Sequence, residues 1–316
     1  MIIMRKWDVV KGFLAEIRVL PMSLMLMTTL LGGMFAKKAD INWSIMSFVL
    51  LNAFLYLYVA HLNDTFWDLK KGEYEKERRF HSIRLKEDYY LPRWGFGPEI
   101  PNAPILPRRY YLIGIIIFSI IGLIVMIYLS FILGWMYSML AIIGLFLALT
   151  YSAGIDKIPA LGDIWWEIGV LFALFCGYYS QSLKIDYFII QNAIPLFIAL
   201  IGIKALDSLP DTIVDNKNNK ITLTVFLYRR GLSLKTIRHI CYIPLYITFI
   251  TLLIMLPSDM RLLPLIVLIS IFIQEFALKD ENGRKSIVAV GFTILCFIIV
   301  TILMIIGFLK LPSLGL

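Results

Sequence analysis

Three aspartates at a spacing of four residues, Asp207, Asp211 and Asp215, follow directly on the apolar run from Tyr187 to Leu206. On a helix, side chains four residues apart share one face, so the three carboxylates would lie together. One aspartate at the centre of a membrane helix costs about 2.5–3.5 kcal/mol. Clustered carboxylates near a bilayer boundary therefore favour a hard divalent cation as partner, because such a cation prefers oxygen ligands. A polar helix end that simply enters the cytoplasm is the alternative interpretation.

A second acidic motif repeats this arrangement earlier in the chain. The apolar run from Trp43 to Ala60 leads into Asn63, Asp64 and Asp68, and the two carboxylates again lie four residues apart. Two acidic groups, each at the exit of a hydrophobic segment, predict one shared site if both lie on the same side of the membrane. The candidate metal ligands are Asn63, Asp64, Asp68, Asp207, Asp211 and Asp215, and all of these except Asn63 and Asp215 are also the candidate catalytic residues.

The composition is that of an integral membrane protein. Of the 316 residues, 59% are hydrophobic and the mean hydropathy is +0.81, well above the values of a soluble domain. The cysteines and histidines are scattered, which argues against a disulfide framework and against a zinc or haem site. We expect one all-α domain over residues 1–316, with its helices in one bundle around a central cavity.

Apolar runs near the length needed to cross a bilayer number about nine. They lie at about 19–36, 43–62, 110–129, 132–151, 164–182, 187–206, 240–257, 262–278 and 286–309. Eight or ten spans is the alternative count.

The distribution of lysine and arginine predicts the orientation of these spans. If the N-terminus is inside, the basic residues concentrate in the inside segments, above all in the loops at about 63–109 and 207–239. Basic residues before the first span suit a retained cytoplasmic N-terminus better than a cleaved leader. Both acidic motifs follow even-numbered spans, so the site and the cavity are predicted to open to the cytoplasmic side of the cell membrane. The bias also accounts for the net charge of +8 without a nucleic-acid partner.

Basic residues accompany the acidic motifs and suggest a diphosphate ligand. Metal ions can bridge phosphate oxygens to aspartate, while lysine and arginine cover the remaining charge. The positive-inside rule and anionic lipid headgroups account for most basic residues in these loops. The candidates for diphosphate binding are those in the motifs or at the mouths of the same loops, namely Lys70, Lys71, Arg108, Arg109 and Lys220.

At this point the motifs resemble the UbiA superfamily of intramembrane prenyltransferases, over essentially the whole chain. Residues 63–72 (NDTFWDLKKG) are similar to the family's first motif, and the DLKKG part is closest to the 1,4-dihydroxy-2-naphthoate (menaquinone-pathway) branch. Residues 207–223 with Arg230-Gly231 are similar to the second motif. Tyr151-Ser152 and Leu161-Gly162-Asp163 resemble a further family signature.

The first motif departs from the family's pattern by one residue. The usual second aspartate falls where this chain has Trp67. Either Asp64 and Asp68 form the ligand pair on one helical face, which is the favoured register, or Asn63 and Asp64 keep the usual roles and one residue is inserted before Asp68. The second register requires the helix to end or bulge near Trp67, because one inserted residue rotates later side chains by about 100°.

The resemblance implies a Mg²⁺-dependent transfer of a polyprenyl group from a prenyl diphosphate to a lipophilic or aromatic acceptor, with geranylgeranyl diphosphate as one candidate donor. A quinone precursor such as dihydroxynaphthoate is favoured. An ether-lipid geranylgeranylglyceryl phosphate prenyltransferase and a membrane terpene cyclase are the enzymatic alternatives. A cation transporter and a scaffold are the other two alternatives, although a transporter would rarely place two aspartate-rich motifs beside basic residues on one membrane face.

Aromatic and acidic residues near spans four and five are candidates for a substrate pocket. Tyr151, Trp67, Trp165 and Trp166 could surround an allylic cation and exclude water. For the tryptophans, an interfacial belt or helix packing is the favoured interpretation. Asp163 and Glu167 could orient an acceptor or accept its proton, but acidic residues are expected at a helix N-terminus for reasons of the dipole alone.

Overall fold

The structure is a computed structural model that describes residues 6–17, 19–37, 40–71, 106–155, 158, 161–209, 212–217, 221–255, 261–262 and 264–277. These residues form eleven helices, and none of them lies in a strand. The helices are α1 (Lys6–Ala15), α2 (Val19–Lys37), α3 (Trp43–Lys71), α4 (Arg108–Leu133), α5 (Trp135–Gly154), α6 (Leu161–Ser182), α7 (Tyr187–Ser208), α8 (Thr212–Lys217), α9 (Leu223–Arg229), α10 (Leu234–Met255) and α11 (Leu265–Ala277).

Six of the described helices, α3 to α7 and α10, are long and apolar enough to cross a membrane. The prediction of an all-α protein with several membrane spans is therefore confirmed. The expected span at 19–36 corresponds to α2, the one at 262–278 contains the shorter helix α11, and the one at 286–309 lies outside the described residues. The count of nine spans and the cytoplasmic orientation stay predictions.

The outer face of α4 shows why these helices belong in a bilayer. Ile113, Ile116, Ile120 and Ile124 recur at helical spacing and are each about half exposed, at 48–60%. An exposed apolar stripe of this size is unfavourable in water and favourable against lipid chains.

A single glycine joins α4 to α5 and folds them against each other. Gly134 has a φ of +94°, a backbone conformation that costs little only for glycine. Its N–H donates to the carbonyl of Ser130 at 2.8 Å and so closes α4. The short interval between the apolar runs at about 110–129 and 132–151 is therefore a tight turn between α4 and α5.

Five helices form the part of the bundle that holds the site. α2 packs along α6 and α3, while α3 packs along α4 and α5, and α5 packs along α6. The backbones of α2 and α6 approach closely at Gly32 and Gly177, where an added Cβ would clash with the backbone of the facing helix. The second half of the described chain continues the bundle through α7, α10 and α11, which share a separate apolar core.

The short helix α1 lies against one end of this group. Tyr58 donates a hydrogen bond to the carbonyl of Phe13 at 2.6 Å, and the Phe13 ring contacts α4 beside Gly114. Trp7, Val10 and Leu14 form its exposed face. This face suits the boundary between lipid and water, where amphipathic helices with tryptophan commonly lie.

Candidate functional site

The two acidic motifs lie at the same end of the helix bundle. Asp64 near the C-terminal end of α3 contacts the C-terminal end of α5, because Ser152 Oγ donates to Asp64 Oδ1 at 2.8 Å. At the N-terminal end of α6, the Asp163 carboxylate accepts a hydrogen bond from the backbone N–H of Leu223 at 2.7 Å. Thr224 then connects this segment to the end of α7 by donating to the Ser208 carbonyl at 3.3 Å. The structure thus brings the helix ends that carry both motifs to one side of the bundle, as a shared site requires.

Asn63 and Asp64 are both bonded to α5, but in different ways. The buried Asn63 donates through Nδ2 to the carbonyls of Leu149 at 2.9 Å and Ala148 at 3.4 Å. Asp64 is half-buried and receives the Ser152 hydroxyl on one carboxylate oxygen. Asn63 therefore connects α3 to α5 through its side-chain amide, whereas the Asp64 carboxylate is oriented by the Ser152 hydroxyl.

Helix α3 is unbroken from Trp43 to Lys71, so it neither ends nor bulges near Trp67. Asp64 and Asp68 therefore stand one helical turn apart on the same face. This continuity supports the register in which those two aspartates form the ligand pair. The side chains of Asp68 and Lys71 lie outside the described part of the structure.

The second motif does not form one continuous helix, so the expectation of three aspartates on a single helical face is wrong. Helix α7 ends at Ser208, just after Asp207, and a separate short helix α8 begins at Thr212 and carries Asp215. The sequence has Pro210 between these two helices, and proline lacks the N–H that a continuing helix needs. Asp215 is 5% exposed. Asp211, Lys220 and the side chain of Asp207 lie outside the described residues.

A buried glutamate that the sequence reasoning missed fixes the other side of the first motif. Glu16, 5% exposed, follows α1 and accepts hydrogen bonds from Thr65 Oγ1 at 2.8 Å and from the Tyr111 hydroxyl at 3.1 Å. Thr65 is the neighbour of Asp64, so this carboxylate joins α1, α3 and α4 behind the motif. Only the position of an acidic residue just before an apolar run could have drawn attention to it.

Apolar and aromatic side chains line an apolar cavity between α2, α3, α5 and α6. Ala60 on α3 and Ala148 on α5 both line it. Asp64 and Ser152 each follow one of these alanines by four residues, which places them one turn further along the same helix faces. The hydrogen-bonded Asp64–Ser152 pair therefore lies at one end of an apolar cavity.

Aromatic residues form part of the wall near that end. Trp165 and Trp166 both line the cavity, so an interfacial belt alone does not describe them. The Trp166 ring is stacked on His61 at 6.3 Å with an interplanar angle of 18°, and the Tyr151 ring lies 6.0 Å from it. Trp165 donates to Thr150 Oγ1 at 3.0 Å. Trp67 lies outside this wall, with Lys70 Nζ over its ring at 4.3 Å.

The predicted basic residues that the structure describes lie around the same end. Lys70 and Arg108 are exposed, and the guanidinium of Arg108 lies 4.2 Å from the centre of the Phe66 ring, next to the first motif. Arg109 is also exposed and lies over Tyr110 at 5.2 Å. These contacts place the Lys70 and Arg108 cations beside the aspartate-bearing end of α3.

Asp163 and Glu167 are buried but are not among the residues that line the cavity. They are 4% and 3% exposed, on a different face of α6 from Trp165, Trp166 and Gly169. The bond from Leu223 N–H gives Asp163 a structural role, since it fixes the start of α9 against α6.

Three of the six predicted metal ligands have side chains in the described part of the structure. Of those ligands, Asn63, Asp64 and Asp215 have described side chains, and within the described ranges no group of three or more His, Cys, Asp or Glu residues could hold a metal ion. The donors that are described, carboxylate and amide oxygens, fit a hard cation such as Mg²⁺. The residues present are therefore chemically suited to the ion that the motifs suggested.

Comparison with solved structures establishes the fold. A UbiA homologue from Archaeoglobus fulgidus bound to DMAPP and Mg²⁺ superimposes with a TM-score of 0.65 at 13% identity, covering 95% of this chain and 100% of that one. The chain has the UbiA fold. The same homologue bound to GPP and Mg²⁺ gives a TM-score of 0.64 at 12% identity, covering 96% and 100% of the two chains. A digeranylgeranylglyceryl phosphate synthase gives 0.61 at 14% identity, also covering 96% and 100%. No family model matches the sequence, and neither does any curated protein.

Proposed function

We propose that this protein is a Mg²⁺-dependent intramembrane prenyltransferase. It transfers a prenyl group from a prenyl diphosphate to a lipophilic acceptor. The observation that carries the proposal is the position of Asp64, held by Ser152 at the end of an apolar cavity. Likeness to solved UbiA homologues bound to DMAPP or GPP with Mg²⁺ supports the same chemistry.

The two ends of the site suit the two ends of such a substrate. A prenyl diphosphate is apolar over its chain and carries several charges at its head. The cavity between α2, α3, α5 and α6 offers apolar walls to the chain. The carboxylate of Asp64 and the exposed cations of Lys70 and Arg108 lie at the end where the head would sit.

The ligands proposed for Mg²⁺ are Asn63, Asp64, Asp68, Asp207, Asp211 and Asp215. When bound, Mg²⁺ supplies Lewis-acid activation of the diphosphate leaving group. Ser152 orients Asp64 for this role, and Glu16 orients the turn that carries it. Lys70, Lys71, Arg108, Arg109 and Lys220 are proposed to neutralise the remaining phosphate charge.

The aromatic wall of the cavity is proposed to stabilise the carbon of the substrate that reacts. Departure of diphosphate leaves an allylic cation, which the faces of Trp166 and Tyr151 can stabilise through cation–π interaction. The buried His61 ring, stacked on the half-buried Trp166, keeps that ring in place and helps to exclude water, which would otherwise capture the cation. We therefore keep Tyr151 in the substrate pocket and propose that Asp163 and Glu167 act from behind the wall.

Two acceptor classes remain candidates, each favoured by a different observation. The DLKKG sequence of the first motif favours a quinone-ring precursor such as dihydroxynaphthoate. The structural likeness to a digeranylgeranylglyceryl phosphate synthase favours a glycerophosphate ether lipid. An internal double bond of the substrate as acceptor would give a terpene cyclase. We further propose one domain of about nine spans in the cell membrane, with the site on the cytoplasmic side, as the positive-inside rule indicates.

The test uses the purified protein in lipid nanodiscs with geranylgeranyl diphosphate, Mg²⁺ and a panel of acceptors, followed by mass spectrometry of the products. We expect a prenylated acceptor and Mg²⁺-dependent release of diphosphate. Asp64→Ala and Asp207→Ala should each abolish turnover, and Mg²⁺-dependent thermal stabilisation should shrink.

The matched control is Asp40→Ala, which removes an exposed carboxylate at the opposite end of α3 and should leave turnover unchanged. Normal transfer by Asp64→Ala would refute the proposed site. Mg²⁺ transport without any diphosphate release would favour the transporter alternative.

A further inference from the structure

We propose that Arg229 is a positioning residue for the second acidic motif, because it holds the short helix α8 and so sets the direction of the Asp215 carboxylate. Arg229 acts through Asn216, the residue that follows Asp215. This role rests on the proposed function and adds to it a residue that lies outside both acidic motifs.

Helix α8 needs contacts from other elements to stay in place. It has six residues, Thr212–Lys217, and a helix this short is unstable on its own in water. Residues 209–211 separate it from α7, so it does not continue the direction of that longer helix. Contacts with the rest of the chain must therefore fix both its position and its rotation about its own axis.

The rotation of α8 decides where the Asp215 side chain points. Asp215 is 5% exposed and Thr212, three residues earlier, is fully buried, so both lie on the inner face of the helix. Ile213 is 40% exposed and lies on the outer face. Successive residues of a helix differ by about 100°, so a modest rotation would turn the Asp215 carboxylate away from a metal ion held together with the first motif.

The two ends of α8 are held by different partners. At the N-terminal end, Thr212 Oγ1 donates to the Leu209 carbonyl at 2.8 Å, a bond within the adjoining segment. At the C-terminal end the partner comes from another helix. Arg229 Nε donates to Asn216 Oδ1 at 2.7 Å, and its Nη2 donates to the Asn216 carbonyl at 3.4 Å. Two bonds from one planar guanidinium to the side chain and the backbone of one residue fix an angle as well as a distance.

Helix α9, which carries Arg229, is capped at both ends and can therefore act as a rigid support. Thr222 is its N-cap and accepts a hydrogen bond from the Val225 N–H at 3.3 Å. At the other end Gly231 has a φ of +84°, and its N–H donates to the Tyr228 carbonyl at 3.0 Å, which closes the helix.

The same helix is also fastened to the main bundle. Asp163 on α6 accepts the Leu223 N–H at 2.7 Å. Thr224, which is fully buried, donates to the Ser208 carbonyl at the end of α7 at 3.3 Å. A continuous set of contacts therefore leads from α6 and α7 through α9 to Arg229, and from Arg229 to α8. The position of Asp215 thus depends on the bundle through this one arginine as well as through the chain itself.

The exposure of this pair separates an effect on α8 from an effect on the whole fold. Arg229 is exposed and Asn216 is half-buried. Substitutions at such surface positions usually change the free energy of unfolding very little. Loss of the pair is therefore expected to leave the bundle folded and to free only α8, so that Mg²⁺ affinity changes while thermal stability does not.

The experiment titrates Mg²⁺ with the protein in nanodiscs, geranylgeranyl diphosphate and the acceptor panel, and it measures diphosphate release. It gives kcat and the half-saturating Mg²⁺ concentration separately. For Arg229→Ala we expect the half-saturating concentration to rise by about tenfold, the usual cost of removing a group that supports a metal ligand. The kcat at saturating Mg²⁺ and the Tm without Mg²⁺ should stay close to those of the unmodified protein.

A second variant tests whether Arg229 acts through Asn216. Asn216→Ala removes the shorter of the two bonds and should reproduce most of the rise in the half-saturating Mg²⁺ concentration. The double variant should be no worse than Arg229→Ala, since two residues that act through one contact are not additive. The matched control is Lys235→Ala, which removes an exposed cation from the first turn of α10 and should leave the titration unchanged.

A normal Mg²⁺ titration in Arg229→Ala would overturn the positioning role. A defective Arg229→Ala beside a normal Asn216→Ala would also overturn it, because the arginine would then contact the diphosphate directly. Independent losses in the double variant, or a lower Tm and kcat with an unchanged half-saturating Mg²⁺ concentration, would refute it as well. In all these cases the unmodified protein still turns over and the prenyltransferase stands. Absence of diphosphate release by the unmodified protein with every acceptor would overturn the proposed function and the role of Arg229 together.

Discussion

Ser152 at the end of α5 donates a hydrogen bond of 2.8 Å to Asp64 on α3, and this bond joins two helices that are distant in sequence. Ser152 is 2% exposed, so little water can reach its hydroxyl and replace it as the donor to the carboxylate. A charge-assisted bond of this kind is stronger than a neutral one and fixes the rotation of the carboxylate. The pair therefore links the apolar wall of the cavity to the acidic motif at its end.

Removal of the serine hydroxyl should reduce turnover without unfolding the protein. Hydrogen bonds to charged groups contribute about 1.5–3 kcal/mol, so Ser152→Ala should lower kcat/KM by roughly tenfold or more and should raise the Mg²⁺ concentration needed for half-maximal activity. The measurement is a Mg²⁺ titration of diphosphate release. Ser152→Thr keeps the hydroxyl and is expected to recover most of the activity.

The register of the first motif gives a second prediction. Because α3 is continuous past Trp67, Asp68 is expected to be the second ligand, and Asp68→Asn should lose nearly all activity. Asparagine keeps the size and one oxygen but removes the charge that holds Mg²⁺. Asn63→Ala should retain substantial activity, although loss of its bond to the Leu149 carbonyl should cost about 1–3 kcal/mol of stability.

Specific activity per folded molecule and thermal unfolding are to be measured on both variants. An inactive but stable Asn63→Ala with an active Asp68→Asn would establish the inserted register. Equal spacing in the second motif gives this register no support, since α7 ends at Ser208 and Asp215 lies on the separate helix α8. Helix continuity is now the reason for the preference.

Several features of this site could be predicted from the sequence because they depend on local pattern. The apolar runs predict the long helices, and the positions of Asp64 and Asp207 after such runs place both at helix ends. The spacing of four residues in the first motif agrees with the unbroken helix α3. At the second motif the described chain divides into α7 and α8, which the carboxylate periodicity did not predict.

The missed features depend on tertiary contacts. Glu16 gave no local signal, because its partners Thr65 and Tyr111 are distant in the chain. The buried hydrogen bond from Asn52 to the Gly122 carbonyl likewise joins two residues that are distant in the chain. Asp163 is a different case. The sequence suggested that it orients the acceptor substrate, whereas in the structure its buried carboxylate accepts a hydrogen bond from the Leu223 N–H.

Glu16 provides a third prediction, which concerns stability. Its carboxylate accepts bonds from Thr65 and Tyr111, which are 1% and 0% exposed. Glu16→Ala should leave two buried hydroxyls without this acceptor and should cost about 1–3 kcal/mol for each of them. Thermal unfolding in nanodiscs measures the loss, and activity should fall because the turn that carries Asp64 is less well held.

A double-mutant cycle separates the bond from side-chain packing. Thr65→Val and Tyr111→Phe remove the donors while keeping similar shapes, and each should couple to Glu16→Ala with a non-additive loss. Additive losses would show that the carboxylate acts independently of these two hydroxyls. Asp8→Ala on α1 is the control, because Asp8 is half-buried and takes no part in this cluster.

The last prediction concerns the side of the membrane on which the site lies. The contacts from Asp64 to Ser152, from Asp163 to Leu223 and from Thr224 to Ser208 place both motifs at one end of the bundle, and the basic loops predict that this end is cytoplasmic. Single cysteines at Glu75 and Lys217 should therefore react with a membrane-impermeant maleimide only from the inside, in a background without Cys176, Cys241 and Cys296. A cysteine at Lys184, whose side chain is 70% exposed at the opposite end of α6, should react only from the outside. Labelling of Glu75→Cys and Lys217→Cys from opposite sides would overturn the shared site, whereas labelling of both from the outside, with Lys184→Cys labelled from the inside, would preserve the site and invert its orientation.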